Sequence, residues 1–263
     1  MINNKKIILV LSGGVARGFS HIGVLKVLED YEIVPDVLIG TSMGALIGAA
    51  YASGMSMEFI EKYIKAFNFK DLLRLQISKS GVLSPAPITK VINEVVALGL
   101  EKRCKFISVS TNLLTGKPVM NIVPKATMFT KEDKKLIRAS CSVPGVWPCV
   151  KGKEGEVLCD GGLTANIPVR QAKQYSPDII IAVDVGYCVD KTPPKNAIDA
   201  VVKAIQMAGA EFNTYQTEKA DIIIKPTLPN INQMDFNKVK YIIEKGELET
   251  KRQIPKLRKL ING

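Results

Sequence analysis

Scanned for apolar and polar positions, the chain breaks into short, wholly apolar runs separated by helical patterns. Ile7–Leu11 is too short for a helix and rich in branched side chains, so it predicts a strand buried on both faces. Gly18–Asp30 follows as a helix with Ile22, Leu25 and Leu28 on one face. Val37–Ile39 predicts the next strand and Ser42–Ala52 the next helix. Ser56 is placed to cap a helix through Phe67, and Ser84-Pro85 opens another through Leu98, with proline where its missing N–H does no harm. Phe106–Ser110 and Val119–Val123 read as strands paired across a Thr115-Gly116 turn. Thr130 starts a lysine-rich helix with Asp133 in capping-box position. Val157–Cys159, Ile179–Val185 and Ile222–Ile224 complete the strands, Asp199–Thr217 is a long helix, and the charged tail from Phe236 is helical with a break near Pro255. Strands alternating with helices predict an α/β fold with a mostly parallel sheet. Without repeats or low-complexity linkers, one domain over residues 1–234 is expected, with residues 235–263 a helical extension packed on it.

Composition narrows the chemistry. With 46% hydrophobic and 23% charged residues in 263, disorder, collagen and a multi-span membrane protein are excluded. There is one histidine, His21, so any mechanism or metal site needing two is excluded, and no metal or cofactor is expected. Cys104, Cys141, Cys149, Cys159 and Cys188 form no CxxC pair, and their odd number points to reduced thiols and a cytoplasmic setting. The first apolar run reaches Ser12-Gly13-Gly14 too soon for a signal peptide. Val37–Met57 carries no charge and spaces Gly40, Gly44 and Gly48 as GxxxG, like a membrane helix. Its many small and polar residues fit a buried strand, a tight turn and a small-residue helix better, so no transmembrane helix is expected.

The net charge of +11 falls mostly in residues 101–153 and 235–263, where Lys131, Lys134, Lys135 and Arg138 join Lys251, Arg252, Lys256, Arg258 and Lys259. Two uses fit equally: peripheral docking on an anionic membrane, placing the protein at its inner face, or an ordinary solvated helical surface. Nucleic acid fits worse, because one tryptophan and no aromatic-basic interleaving make no recognisable binding motif. Nothing in the sequence indicates an oligomeric state.

Three segments carry candidate chemistry. Gly40-Thr41-Ser42-Met43-Gly44 is G-x-S-x-G between a predicted strand and helix, where a serine on a sharp turn needs small neighbours two residues away on each side. Ser42 is a candidate nucleophile there, or simply a helix cap. Ser12-Gly13-Gly14-Val15-Ala16-Arg17-Gly18 follows the first strand without the spacing of a dinucleotide loop or a Walker lysine. Its successive small residues suit an oxyanion hole, with Arg17 either pinning the loop or offering charge to a phosphate. Asp160, in Leu158-Cys159-Asp160-Gly161-Gly162, sits at a strand end and is a candidate general base, unless Asp160-Gly161 is a hairpin turn. His21 is the other candidate base, and the residues alone do not separate the two.

Taken in order, LSGGVARGFSHIGVLKVL, IGTSMGA, ASCSVPGVWP and DGGLTANIP resemble the bacterial patatin-like phospholipase family over about Lys6 to Val185. The resemblance implies a three-layer α/β/α sandwich and a serine acyl hydrolase acting on phospholipid or lysophospholipid esters. It implies a Ser–Asp dyad without histidine, with Ser42 the nucleophile and Asp160 the base. Gly13, Gly14 and Val15 would match the oxyanion loop, joined by the Met43 N–H, and Arg17 the family's basic residue there. The loop departs from the family in carrying Val15 where a third glycine is common, and valine disfavours positive φ. A catalytically weak acyl-lipid or acyl-carrier binding protein is the alternative expectation, with Val15 its main support.

Overall fold

A computed structural model describes residues 5–96, 102–187, 193–194 and 197–263. The sheet begins with β1 (Ile7–Leu11), in which every residue is buried. Ile7, Leu9 and Leu11 enter one core, while Ile8 and Val10 enter another on the opposite face. Both faces are therefore dry, which is why the strand is apolar throughout rather than alternating.

A 3₁₀ turn over Val15–Phe19 leads into α1 (Ser20–Asp30), then β2 (Val37–Thr41), α2 (Met43–Ala52), α3 (Met57–Ala66) and α4 (Ala86–Val95). Ser56 caps α3 by accepting the Phe59 N–H at 3.2 Å. The antiparallel pair β3 (Lys105–Asn112) and β4 (Lys117–Val123) turns at Gly116, and α5 (Lys131–Ser140) opens with the Thr130–Asp133 capping box. The chain continues through β5 (Val150–Lys151), β6 (Val157–Asp160), α6 (Val169–Ala172), β7 (Ile179–Val183), α7 (Ala197–Thr217), β8 (Ile222–Ile224) and α8 (Val239–Asn262).

The strand order is β5-β6-β3-β2-β1-β7-β8, with β4 also paired to β3. Strands β3, β2, β1, β7 and β8 are parallel to their neighbours in that run, and β4, β5 and β6 are antiparallel additions. The larger core lies under α1 to α5 and α8, and the smaller one under α6, giving the three-layer α/β/α sandwich. One register matters for the site. Strand β2 pairs with β3 up to Thr41↔Val109, and β6 takes over beyond it, with Ser110↔Asp160. The ends of β2 and β6 thus meet at adjacent residues of β3.

The structure departs from the sequence reading at the tail and in two short elements, and it separates the two basic segments. The tail is not broken at Pro255: α8 runs through it to Asn262, held by buried Ile254 and Leu257 on either side. The short elements β5 and α6 were not foreseen, since two and four residues leave no periodicity to read. The two basic segments form no single surface, because α5 packs near β6 and β5 while α8 packs on β8 at the other end of the sheet. Several of these cations are also engaged: Lys135 pairs with Glu132, Arg252 with Glu249, and Arg258 lies over Tyr31. Leu98 and Cys188 lie outside the described residues.

Candidate active site

Ser42 occupies the residue between β2 and α2, at φ 52° and ψ −120°. This is a costly backbone conformation for a residue with a Cβ, of order 1–3 kcal/mol. Its side chain does not cap the helix, so the capping role open in the sequence is not used. The turn is possible because Gly40 and Gly44 press together. A Cβ on Gly44 would stand 2.4 Å from the Leu11 carbonyl oxygen, and one on Gly40 2.4 Å from that of Gly44.

The end of α5 secures the turn. Ser140 Oγ accepts the Ser42 N–H at 2.9 Å and donates to the Val109 carbonyl, while Cys141 Sγ donates to the Ser42 carbonyl at 3.3 Å. The Ser142 carbonyl accepts the Asp160 N–H at 2.9 Å. Residues 140–142 therefore hold both Ser42 and Asp160. The third sequence block, ASCSVPGVWP, contains them, but their role follows from a tertiary contact that no local pattern encodes.

Asp160 ends β6 and is followed by a 3₁₀ turn over Gly161–Leu163, not by a hairpin. Its Oδ1 accepts the Gly162 N–H at 2.8 Å. Its Oδ2 has no hydrogen-bond partner among the described residues. Burial pushes this carboxyl up to about 6, against smaller opposing contributions from the Gly162 N–H and from the Ser42 hydroxyl beside it. The Ser42 hydroxyl is thus close enough to the carboxyl to favour its ionised form.

His21 is fully buried in α1. Its Nε2 lies 2.8 Å from the Ser12 carbonyl oxygen, which fixes that nitrogen as the protonated one, and Nδ1 has no partner among the described residues. Burial holds the ring down at about 4, so it stays neutral. Its hydrogen bond points into the protein interior rather than to Ser42.

The glycine loop differs from expectation in which groups are free. The Gly13 N–H donates to the Asn166 carbonyl at 3.3 Å. The N–H groups of Gly14, Val15 and Met43 have no acceptor among the described residues. Val15 adopts φ 48°, the left-handed region, so the loop keeps a glycine-like path despite its branched side chain. Arg17 is buried, and its guanidinium donates to the carbonyls of Val185 (2.9 Å), Gly186 (3.1 Å), Leu228 (3.1 Å) and Ile231 (2.8 Å). It pins the loop. Being wrapped by backbone oxygens, it is not presented to a phosphate.

Ser42 lies between two cavities, both also lined by Val15 and Val143. One is walled by apolar side chains including Leu46, Ile64, Phe67, Phe69 and Trp147. The other presents Asp160, Asn166, Tyr187, Gln206 and Gln233. The buried side-chain amide of Gln233 has neither nitrogen nor oxygen paired among the described residues, and Asn166 Oδ1 is likewise unpaired. Gln233 is a site residue that sequence reasoning missed, since it sits in a motif-free stretch brought in by Arg17 and by the Ala16 N–H to Gln233 carbonyl bond at 3.0 Å. No cluster of three potential metal ligands exists among the described residues.

A strained serine and a buried carboxyl at neighbouring strand ends, flanked by unpaired N–H groups, are the kinds of group that acyl transfer to a serine requires. Comparison with known proteins gives the family. A family model described as patatin-like phospholipase matches residues 9–173. Lysophospholipase NTE1 of Scheffersomyces stipitis is 32% identical over 196 residues, covering 73% of this chain and 12% of that protein. An NTE1 lysophospholipase of Yarrowia lipolytica is 28% identical over 97% of this chain and 17% of its own length. An uncharacterized NTE family protein of Mycobacterium tuberculosis is 31% identical over 70% of this chain and 50% of its own. The chain thus spans at most half the length of these relatives. VipD of Legionella pneumophila shares the fold, with TM-score 0.58 at 13% identity over 99% of this chain and 67% of that one. The chain belongs to the patatin-like phospholipase family.

Proposed function

We propose that the protein is a serine acyl hydrolase that cleaves fatty-acyl esters of phospholipids or lysophospholipids through Ser42 and Asp160. The observation that carries this reading is a strained Ser42 beside a buried carboxyl whose pKa stands at about 6, both lining one cavity. A carboxylate of that basicity is mostly ionised at neutral pH, yet accepts a proton far more readily than an exposed one. Its free Oδ2 is the atom available to receive the Ser42 proton.

In the first step Ser42 Oγ bonds to the ester carbonyl carbon while its proton passes to Asp160. The carbonyl oxygen becomes an oxyanion held by the N–H groups of Gly14, Val15 and Met43, and each such donor is worth ~3 kcal/mol. Gly13, whose N–H is already bonded, shapes the loop instead. Collapse breaks the ester C–O bond, and the leaving alcohol takes the proton from Asp160. Water then attacks the acyl-serine with Asp160 again as base, releasing the fatty acid and restoring Ser42. The apolar cavity suits the acyl chain, and the polar one, with its unpaired amides, suits the alcohol and head group. The NTE1 relatives, lysophospholipases by name, support a lysophospholipid as one substrate. The free thiols of Cys104, Cys141, Cys149 and Cys159 are compatible with the reducing cytoplasm.

A fluorophosphonate probe tests the reading. The wild-type chain is expected to label at Ser42, Ser42→Ala not at all, and Asp160→Asn is expected to lose ester turnover while keeping its fold. Wild-type protein that neither labels nor hydrolyses lysophospholipid leaves a binding protein as the better description.

A further inference from the structure

The chain between α3 and α4 contains a narrow hairpin with one edge bare. Leu75 pairs with Leu83, and the N–H groups of Gln76 and Ser78 donate to the carbonyls of Val82 (2.9 Å) and Gly81 (2.8 Å). The returning arm is tied to the body, since the Val82 and Leu83 N–H groups both reach the Val146 carbonyl, at 3.1 and 2.9 Å. The outgoing arm, residues 73–79, is exposed at every position. It reads Leu-Arg-Leu-Gln-Ile-Ser-Lys; Leu73 closes a 3₁₀ turn over Phe69–Leu73, and alternation along the extended arm after it sends Leu75 and Ile77 to one side. Leu73, Leu75 and Ile77 are 51%, 76% and 85% exposed, a large apolar cost for a surface that touches only water.

The arm's composition selects its partner. Arg74 and Lys79 have no ionic partner among the described residues, and exposed Lys70 precedes them against a single acid, Asp71. Two copies joined along this edge would bring like charges together, the device by which natural edges avoid self-pairing. Branched apolar tips flanked by unpaired cations instead match a bilayer interface with anionic headgroups. The placement agrees, because buried Leu72 and half-buried Phe69, just before the arm, line the apolar cavity beside Ser42. We infer that Leu75 and Ile77 enter the interfacial layer of an anionic membrane while Arg74 and Lys79 meet its phosphates, bringing the apolar cavity to the lipid. This surface is distinct from the α5 and α8 cations, and its link to substrate entry rests on the hydrolase reading above.

Sedimentation with vesicles of phosphatidylcholine, alone or mixed with phosphatidylglycerol, measures docking without any turnover. Wild type is expected to bind the mixed vesicles, and Leu75→Ser with Ile77→Ser to bind at least about tenfold more weakly. Arg74→Ser and Lys79→Ser should each cost roughly fivefold, an effect that shrinks in high salt. Hydrolysis of the soluble ester 4-nitrophenyl butyrate should be unchanged in all of these variants, while turnover of vesicle lipid falls with binding. Wild type that stays in the supernatant, or a Leu75/Ile77 variant that sediments like wild type, overturns the inference. So does light scattering that shows a dimer lost in that variant without vesicle binding. A wild type inert on the soluble ester counts against the hydrolase, and sedimentation still decides the docking.

Discussion

Two residues near the site carry backbone angles that their side chains oppose. Ser42 at φ 52° is held there by Ser140, Cys141 and the tight Gly40–Gly44 contact, so its strain is over-determined by its surroundings. Val15 at φ 48° is held at least partly by Arg17, whose N–H returns to the Gly14 carbonyl at 3.0 Å. Val15→Gly should therefore raise unfolding free energy by about 1 kcal/mol, the relief of left-handed strain less the added freedom of glycine in the unfolded chain. Labelling of Ser42 should persist in that variant, and a urea titration checks the stability. The pH dependence of turnover should show an acid limb near pH 6, since Asp160 must be ionised to take the serine proton and its carboxyl is held at about 6. A limb near 4 instead would place the base elsewhere. At this scale Ser42 and Asp160 were legible because short motifs mark them. The bonding of the Gly13 N–H and the choice between the two roles open to Arg17 were not, because the direction of an N–H or a guanidinium depends on Asn166, Val185 and Ile231, which arrive from far along the chain.

At the scale of elements, α8 illustrates what pattern reading misses. Proline inside a helix removes one hydrogen bond and crowds the preceding turn, so a break was the expected outcome. The helix instead follows its neighbour. A Cβ on Gly246 would stand 2.1 Å from the Ser20 carbonyl oxygen, so α1 and α8 touch backbone to backbone. Packing at that distance, with Ile242, Ile243, Ile254 and Leu257 buried, outweighs the local cost. Gly246→Ala should force the helices apart and destabilise the fold by ~2 kcal/mol or more, read as a lower denaturation midpoint. Arg17 links elements in another way, joining the 3₁₀ turn after β1 to segments 185–186 and 228–231. Arg17→Lys keeps the charge but replaces the guanidinium that reaches four carbonyls from two nitrogens with a single ammonium. Faster hydrogen exchange at the Ala16 N–H is expected, together with a stability loss of about 1–3 kcal/mol. The strands and long helices were otherwise readable from apolar runs and caps, because they bury whole faces in one of the two cores.

For the whole molecule, two separately buried groups, Asp160 and His21, shape acid stability in opposite senses. Asp160 has its pKa raised from 3.8 to about 6, so above pH 6 its buried charge costs about 3 kcal/mol, and that cost disappears as the pH falls below 3.8. His21 has its pKa lowered from 6.5 to about 4, so as the pH falls from 6.5 the unfolded chain takes up a proton that the native one refuses. Stability then drops by about 3 kcal/mol by pH 4. The two nearly cancel in that window. Asp160→Asn should accordingly be more stable than wild type at pH 7, by up to about 3 kcal/mol, and should lose that advantage on acidification to pH 4. Denaturant midpoints across the range check it. The layered architecture was legible from the alternation of strands and helices, whereas the antiparallel additions that bring Asp160 to Ser42 are set by β3 pairing on more than one strand.

The site exists only if β6 lies in the Ser110↔Asp160 register, and a slip of one residue would turn the carboxylate to the other side of the sheet. The small cluster of Ala139, Val150 and Leu158 at that end contributes little to the two main cores. A slipped molecule would keep its mass and most of its secondary structure, yet lack the carboxyl beside Ser42. On the proposed mechanism, the fraction of chains that take up one equivalent of fluorophosphonate is a head-count of molecules whose strands are aligned.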